Sequence, residues 1–160
     1  MNELTNSAAE VIELLKAKNK TLATAESCTG GMIGAAITSV PGSSEVYGFG
    51  FITYANEAKE QLLGVRRDTL AAHGAVSPET AAEMAAGARR AANADIAIAV
   101  TGIAGPGGGT PEKPVGLVYV GISSEKGTRT LKLNLSGDRD QVRRQTCINA
   151  LRAVIEELEY

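Results

Sequence analysis

Glu26-Ser27-Cys28-Thr29-Gly30-Gly31 lies between a short β-leaning run, Thr21 to Ala25, and the small-residue segment Met32 to Ile37. A strand, a polar turn, a glycine pair and a helix would expose the Ser27 hydroxyl. The same arrangement points backbone N–H groups at a ligand, where they can stabilise an oxyanion. A serine becomes a nucleophile only beside a base. His73, the single histidine, falls in the polar turn AAHGAV and reads as a surface residue. The sequence AESCT is not a G-x-S-x-G elbow, so a Ser-His-Asp triad has little support. Lysine is the other base a serine can use. Lys59 follows Phe51-Ile52-Thr53-Tyr54 at the first turn of a short helix, although composition alone reads it as a solvated helix lysine. Cys28 is a rival nucleophile, but free cysteine is usually a small buried apolar residue. Cys147, within the last helix, reads as structural. Ser123-Ser124-Glu125-Lys126 matches S-x-x-K, but it falls in a hairpin turn and no K-T-G follows, so we discount it.

Two further segments can recognise an anion. Gly102 to Gly109 is a glycine-rich loop after the apolar run Asp95 to Thr101, where open α/β sheets bind ligands. It fits neither the Walker nor the Rossmann pattern. It reads equally as a mobile surface loop. Arg139 and Arg143, four residues apart, share one face at the start of the last helix, where they can clamp a phosphate or carboxylate. A solvated, charge-balanced helix start explains them as well.

The elements that must position these residues follow from periodicity. Ala8, Val11, Ile12 and Leu15 mark a helix over about residues 6–18, with Asn6 or Ser7 as its cap. Val46 to Tyr54 reads as a strand with a bulge or close approach at Gly48 and Gly50. Asn56 is expected to cap a short helix ending near Gly64, and another spans Arg67 to His73. Ser77 caps a longer helix that has Pro78 as its first residue. DIAIAVT reads as a central strand buried on both faces. Val115 to Ser123 and Thr128 to Leu135 form a hairpin around residues 125–127. Ser136-Gly137-Asp138 starts a final helix running to about Leu158. This order predicts one α/β domain over residues 1–160, a mixed sheet with helices packed on it in α/β/α layers.

Composition narrows the function. The 160 residues carry 16 Lys plus Arg and 18 Asp plus Glu, a net charge of −2, and six aromatics without Trp. That is not the footprint of a nucleic-acid binder. No apolar run approaches the roughly 20 residues of a membrane span, and the acidic N-terminus lacks signal-peptide character. Two separated cysteines and one histidine make neither a disulfide framework nor a transition-metal site. The expectations are a cytoplasmic protein with no metal, no cofactor, no membrane and no nucleic acid. Its Ala- and Gly-rich helices make a homodimer plausible.

Four blocks in order, TAESCTGG, GFITYANEAK, TGIAGPGGGTPEKPVG and SGDRDQVRRQ, resemble the CinA C-terminal domain family. The resemblance runs from about Leu14 to Leu151. Stand-alone family members include nicotinamide-nucleotide amidohydrolases of the PncC type. The resemblance implies hydrolysis of the carboxamide of nicotinamide mononucleotide (NMN) by a Ser-Lys acyl-enzyme route, in NAD recycling. Ser27 matches the family serine and Lys59 its lysine. Tyr54 takes a supporting role, and Thr101 lies in the pocket with Gly102 and Gly105. The turn Cys28-Thr29-Gly30-Gly31 or the Gly102 loop is expected to hold the oxyanion, and Arg139 or Arg143 the 5′-phosphate. A non-catalytic nucleotide-binding regulatory domain, and a Cys28 hydrolase, are the alternatives.

Overall fold

Residues 2–159 are described by a computed structural model. The order is α1 (Glu3–Lys18), β1 (Leu22–Glu26), α2 (Met32–Thr38), a 3-10 turn (Ser43–Glu45), β2 (Tyr47–Ile52), α3 (Asn56–Leu63), α4 (Arg67–His73), α5 (Pro78–Ala92), β3 (Ile96–Gly102), β4 (Leu117–Ser124), β5 (Gly127–Asn134) and α6 (Arg139–Glu159). The strands form one sheet in the order β2-β1-β3-β4-β5. β1 runs parallel to β2 and β3, whereas β3, β4 and β5 are successively antiparallel. This is the expected single α/β domain with a mixed sheet.

The two faces of the sheet are written into β1 and β3 as alternating sizes. Leu22 on β1 and Ile96, Ile98 and Val100 on β3 face α1, α2 and α6, in a core that includes Val11, Leu15, Ile33, Ile37, Leu151 and Val154. Ala23, Ala25, Ala97 and Ala99 face the other way, against Leu63, Met84, Ala85 and Ala88. Strand side chains alternate between faces, so DIAIAVT gives one thick layer and one thin layer. The small side lets α5, itself rich in Ala, lie close to the sheet. Gly87 continues that fit, since a Cβ there would come within 1.7 Å of the Leu63 carbonyl oxygen at the end of α3.

Local signals were met with two shifts of position. The expected bulge is at Gly48: Leu22 pairs with Tyr47 and Ala23 with Phe49, leaving Gly48 unopposed. Ser77 caps α5, accepting from Thr80 N, with Pro78 at the first position. Asp138 and Gln141 exchange side-chain-to-backbone bonds at 2.8 Å at the start of α6, a reciprocal capping box. The cap of α1, however, is Asn2, whose side chain accepts from Thr5 N, and neither Asn6 nor Ser7 serves. Asn56 is the first residue of α3, not its cap, which is Ala55.

Candidate active site

Ser27 follows β1 at the carboxyl ends of the parallel strands, where such sheets bind ligands. Its N–H donates to the Val100 carbonyl on β3 (3.1 Å), and Thr53 N, after β2, donates to the Glu26 carbonyl (2.8 Å). The serine is thereby tied to both neighbouring strands. The chain then turns through Gly30 and Gly31, with φ of +57° and +105°, values that glycine adopts without steric penalty. The alternation of β1 carries past its end. Glu26 belongs with the α2 face, and Ser27 belongs with the face bearing Ala23, Ala25 and α3.

Lys59 comes from that same side. The sequence alone suggested a solvated lysine, but Lys59 is 1% exposed, one of the largest buried side chains in the protein. Gly87 lets α3 and α5 sit close, and Lys59 reaches from α3 to the residue after β1. Lys59 Nζ lies 3.0 Å from Ser27 Oγ and donates to the carbonyls of Thr53 (2.8 Å) and Tyr54 (3.1 Å). Burial away from water pulls its pKa down to about 8. Arg139 and Arg143 are not among the causes of this shift. A neutral amine has two N–H bonds and one lone pair. With both N–H bonds directed at carbonyls, the lone pair is left for the Ser27 hydroxyl.

The pair opens into a cavity of about 190 Å³ lined by Ser27, Cys28, Tyr54, Lys59, Thr101 and Arg139, among others. Gly102 and Ala104 also line it, together with Ala75 and Val76 before α5. The Thr101 hydroxyl donates to the Ala75 carbonyl (2.8 Å), closing this wall. Burial pushes the Cys28 thiol up to about 11, so at neutral pH it is protonated and a weak nucleophile. His73 is outside the cavity lining, with Nδ1 3.6 Å from Glu79 Oε1.

Residues 4–158 match the CinA C-terminal domain. The chain belongs to the CinA family. A CinA-like protein of Citrifermentans bemidjiense is 56% identical over 138 residues, which is 86% of this chain and 33% of that protein. The chain thus spans about a third of the length of the curated relatives it matches. Among solved structures, the competence/damage inducible protein CihA of Agrobacterium tumefaciens is similar over 100% of this chain and 98% of its own, at TM-score 0.96 and 41% identity. The competence damage-inducible protein A of Klebsiella pneumoniae is similar over 99% of both chains, at TM-score 0.95 and 40% identity.

Within this CinA domain the expected arginine clamp is divided. Arg139 reaches the cavity, with Nη1 donating to the Gly105 carbonyl (2.7 Å) and Nη2 3.4 Å from the Tyr54 hydroxyl. Arg143 instead donates to the carbonyls of Cys28 (3.1 Å) and Thr29 (3.0 Å), so it braces the turn after Ser27. Gly105 meets Arg139 through its carbonyl. Gly30 and Gly31, expected to offer N–H groups to substrate, have them engaged by the Ser27 carbonyl and by Glu26. Glu26 is the residue the sequence reading passed over. It is 2% exposed and accepts four hydrogen bonds. Its signal was present: a carboxylate before a turn and helix, on the strand face that meets that helix.

Proposed function

We propose that this CinA domain is an amidohydrolase that converts NMN to nicotinate mononucleotide and ammonia through an acyl-enzyme on Ser27. The observation that carries the reading is Lys59, buried, without a carboxylate partner among the described residues and 3.0 Å from Ser27 Oγ. With a pKa of about 8, about one Lys59 in ten is neutral at pH 7, against about one in 2,500 for an ordinary lysine.

Neutral Lys59 takes the Ser27 proton as Oγ attacks the carboxamide carbon. Backbone N–H groups hold the resulting oxyanion. When the intermediate collapses, the C–N bond breaks and the Lys59 ammonium returns its proton to the leaving nitrogen, which departs as ammonia. Water then attacks the acyl carbon as Lys59 accepts its proton; the C–Oγ bond breaks, Lys59 returns that proton to Ser27 Oγ, and nicotinate mononucleotide leaves. A cavity of about 190 Å³ is smaller than the roughly 300 Å³ at which sites for drug-sized ligands begin. It suits the carboxamide ring, with the ribose phosphate outside it. Arg139 on the rim is the cation placed to meet the 5′-phosphate, and Tyr54 keeps that guanidinium in place.

Ammonia release from NMN by the purified protein, with Ser27→Ala as control, tests this reading. Turnover lost in Ser27→Ala supports it. A wild-type protein that binds NMN without releasing ammonia would identify a non-catalytic nucleotide-binding domain instead.

A further inference from the structure

The N–H groups around the nucleophile are almost all engaged. Ser27 N donates to Val100, Gly30 N to the Ser27 carbonyl, and Met32 N to the Thr29 carbonyl. Glu26 Oε1 accepts from Gly31 N (3.2 Å) and Ile33 N (2.9 Å) and from the Thr29 hydroxyl (2.5 Å), while Oε2 accepts from Gly34 N (3.0 Å). From Ser27 to Gly34, the N–H groups of Cys28 and Thr29 alone have no acceptor among the described residues.

Of the two, Cys28 lines the cavity and Thr29 is fully buried outside it; both N–H groups are held in place. In a planar trans peptide the C=O and N–H point in opposite directions. The Ser27 carbonyl is fixed by Gly30 N, which fixes the Cys28 N–H on the same peptide. The Cys28 carbonyl is fixed by Arg143, which aims the Thr29 N–H away from that guanidinium. In many serine hydrolases the nucleophile's own N–H serves the oxyanion; here that group is occupied by Val100.

We propose that Glu26 is the positioning residue of this site. By taking up the Gly31, Ile33 and Gly34 N–H groups and the Thr29 hydroxyl, it holds the turn so that the Cys28 N–H, on the cavity wall, receives the oxyanion of a planar carboxamide. This inference rests on the amidohydrolase reading. It also places the substrate phosphate elsewhere, because a carboxylate already neutralises the start of α2.

The test uses Glu26→Gln, Glu26→Asp and, as a control for loss of a buried carboxylate, Glu157→Gln at the far end of the sheet. Two rates are measured: ammonia release from NMN, and labelling of Ser27 by a fluorophosphonate, which needs the same oxyanion donors but no knowledge of the substrate. Glu26→Gln should lower kcat and the labelling rate by about 10²-fold, the scale of one lost oxyanion donor, with KM nearly unchanged. Glu26→Asp should recover part of both rates. Glu157→Gln should melt at lower temperature and keep both rates. A folded Glu26→Gln with wild-type kcat and labelling overturns the inference. If Glu26→Gln does not fold, Thr29→Val, which removes one of the four donors to Glu26, carries the test. It should lose about tenfold in kcat, and an unchanged kcat is the contrary result. Wild-type protein that is labelled but inert toward NMN refutes the substrate, and the labelling rates still decide Glu26. Wild type that is neither active nor labelled refutes the hydrolase reading and this inference with it.

Discussion

The two ends of the sheet each bury a serine against a charged side chain, and the two behave differently. At the carboxyl ends of β1 and β3, Ser27 meets Lys59 beside a cavity. At the opposite end, the Ser124 hydroxyl donates to Glu157 Oε2 (2.5 Å), Arg129 Nε to Oε1 (3.2 Å) and Lys126 Nζ to the Glu157 carbonyl (2.8 Å). Burial pushes the Glu157 carboxyl up, but the hydrogen bonds from Ser124 and Arg129 and the nearby Lys126 charge outweigh it, and the acid lies below the usual range. There the charge has a counter-charge, and its protonation is fixed throughout the neutral range. Lys59 has neutral carbonyls instead, and its protonation changes near neutrality. A buried charge with partners of opposite sign ties elements together; one left among dipoles is poised to exchange a proton.

The largest effect should come from Ser27→Ala, which removes the nucleophile and several orders of magnitude in turnover of NMN. Cys28→Ala should keep measurable turnover, since its thiol is protonated at neutral pH. The reverse pattern in initial rates would move the nucleophile to Cys28. Next in size is Lys59→Arg, which keeps the charge but cannot accept a proton. It should be nearly as inactive as Lys59→Ala. Near-normal kcat in Lys59→Arg would make Lys59 a binding charge.

The arginines should separate by kinetic parameter. Arg139→Ala should raise KM for NMN by about 10- to 100-fold, the scale of a charged hydrogen bond, with little change in kcat. It should also narrow the preference for NMN over nicotinamide riboside. Arg143→Ala, by freeing the Cys28 and Thr29 carbonyls, should lower kcat more than it alters KM. If both changes acted on KM alone, the division of the pair would be wrong.

The smallest effect on activity belongs to the other end of the sheet. Glu157→Gln should cost about 1–3 kcal/mol of stability at pH 7, read by thermal melting, and leave turnover intact. The folded-state pKa of Glu157 is depressed, so its stabilisation is present above the unfolded value near 4.3. It is lost as pH falls through the folded value. The melting difference between wild type and variant should therefore shrink below about pH 4.

The contrast also shows what the sequence could convey. The alternation in DIAIAVT, the Ser77-Pro78 start and the glycines around the turn made the sheet, α5 and the placement of Ser27 after β1 legible, because each is a local pattern with one dominant physical cause. The fate of Lys59 was not local. Its burial depends on α3 packing against α5 at Gly87, a contact between residues 24 or more apart. Arg143 carried the same difficulty, since four-residue spacing puts it on the same face as Arg139 but says nothing of what lies opposite. Ser123 and Lys126, discounted as a chance match, lie at the structural end, where Ser123 Oγ contacts Thr128 Oγ1 at 2.9 Å and Lys126 holds Glu157.

The role of Lys59 as a neutral base toward Ser27 is decided by kcat/KM for NMN measured against pH from 6 to 10, in wild type and Lys59→Arg. The wild-type profile should rise tenfold per pH unit through one ionisation near 8, the value burial gives Lys59, and then level off. Lys59→Arg should lack that step. A wild-type profile that is flat over this range, or the same step retained in Lys59→Arg, would contradict the assignment.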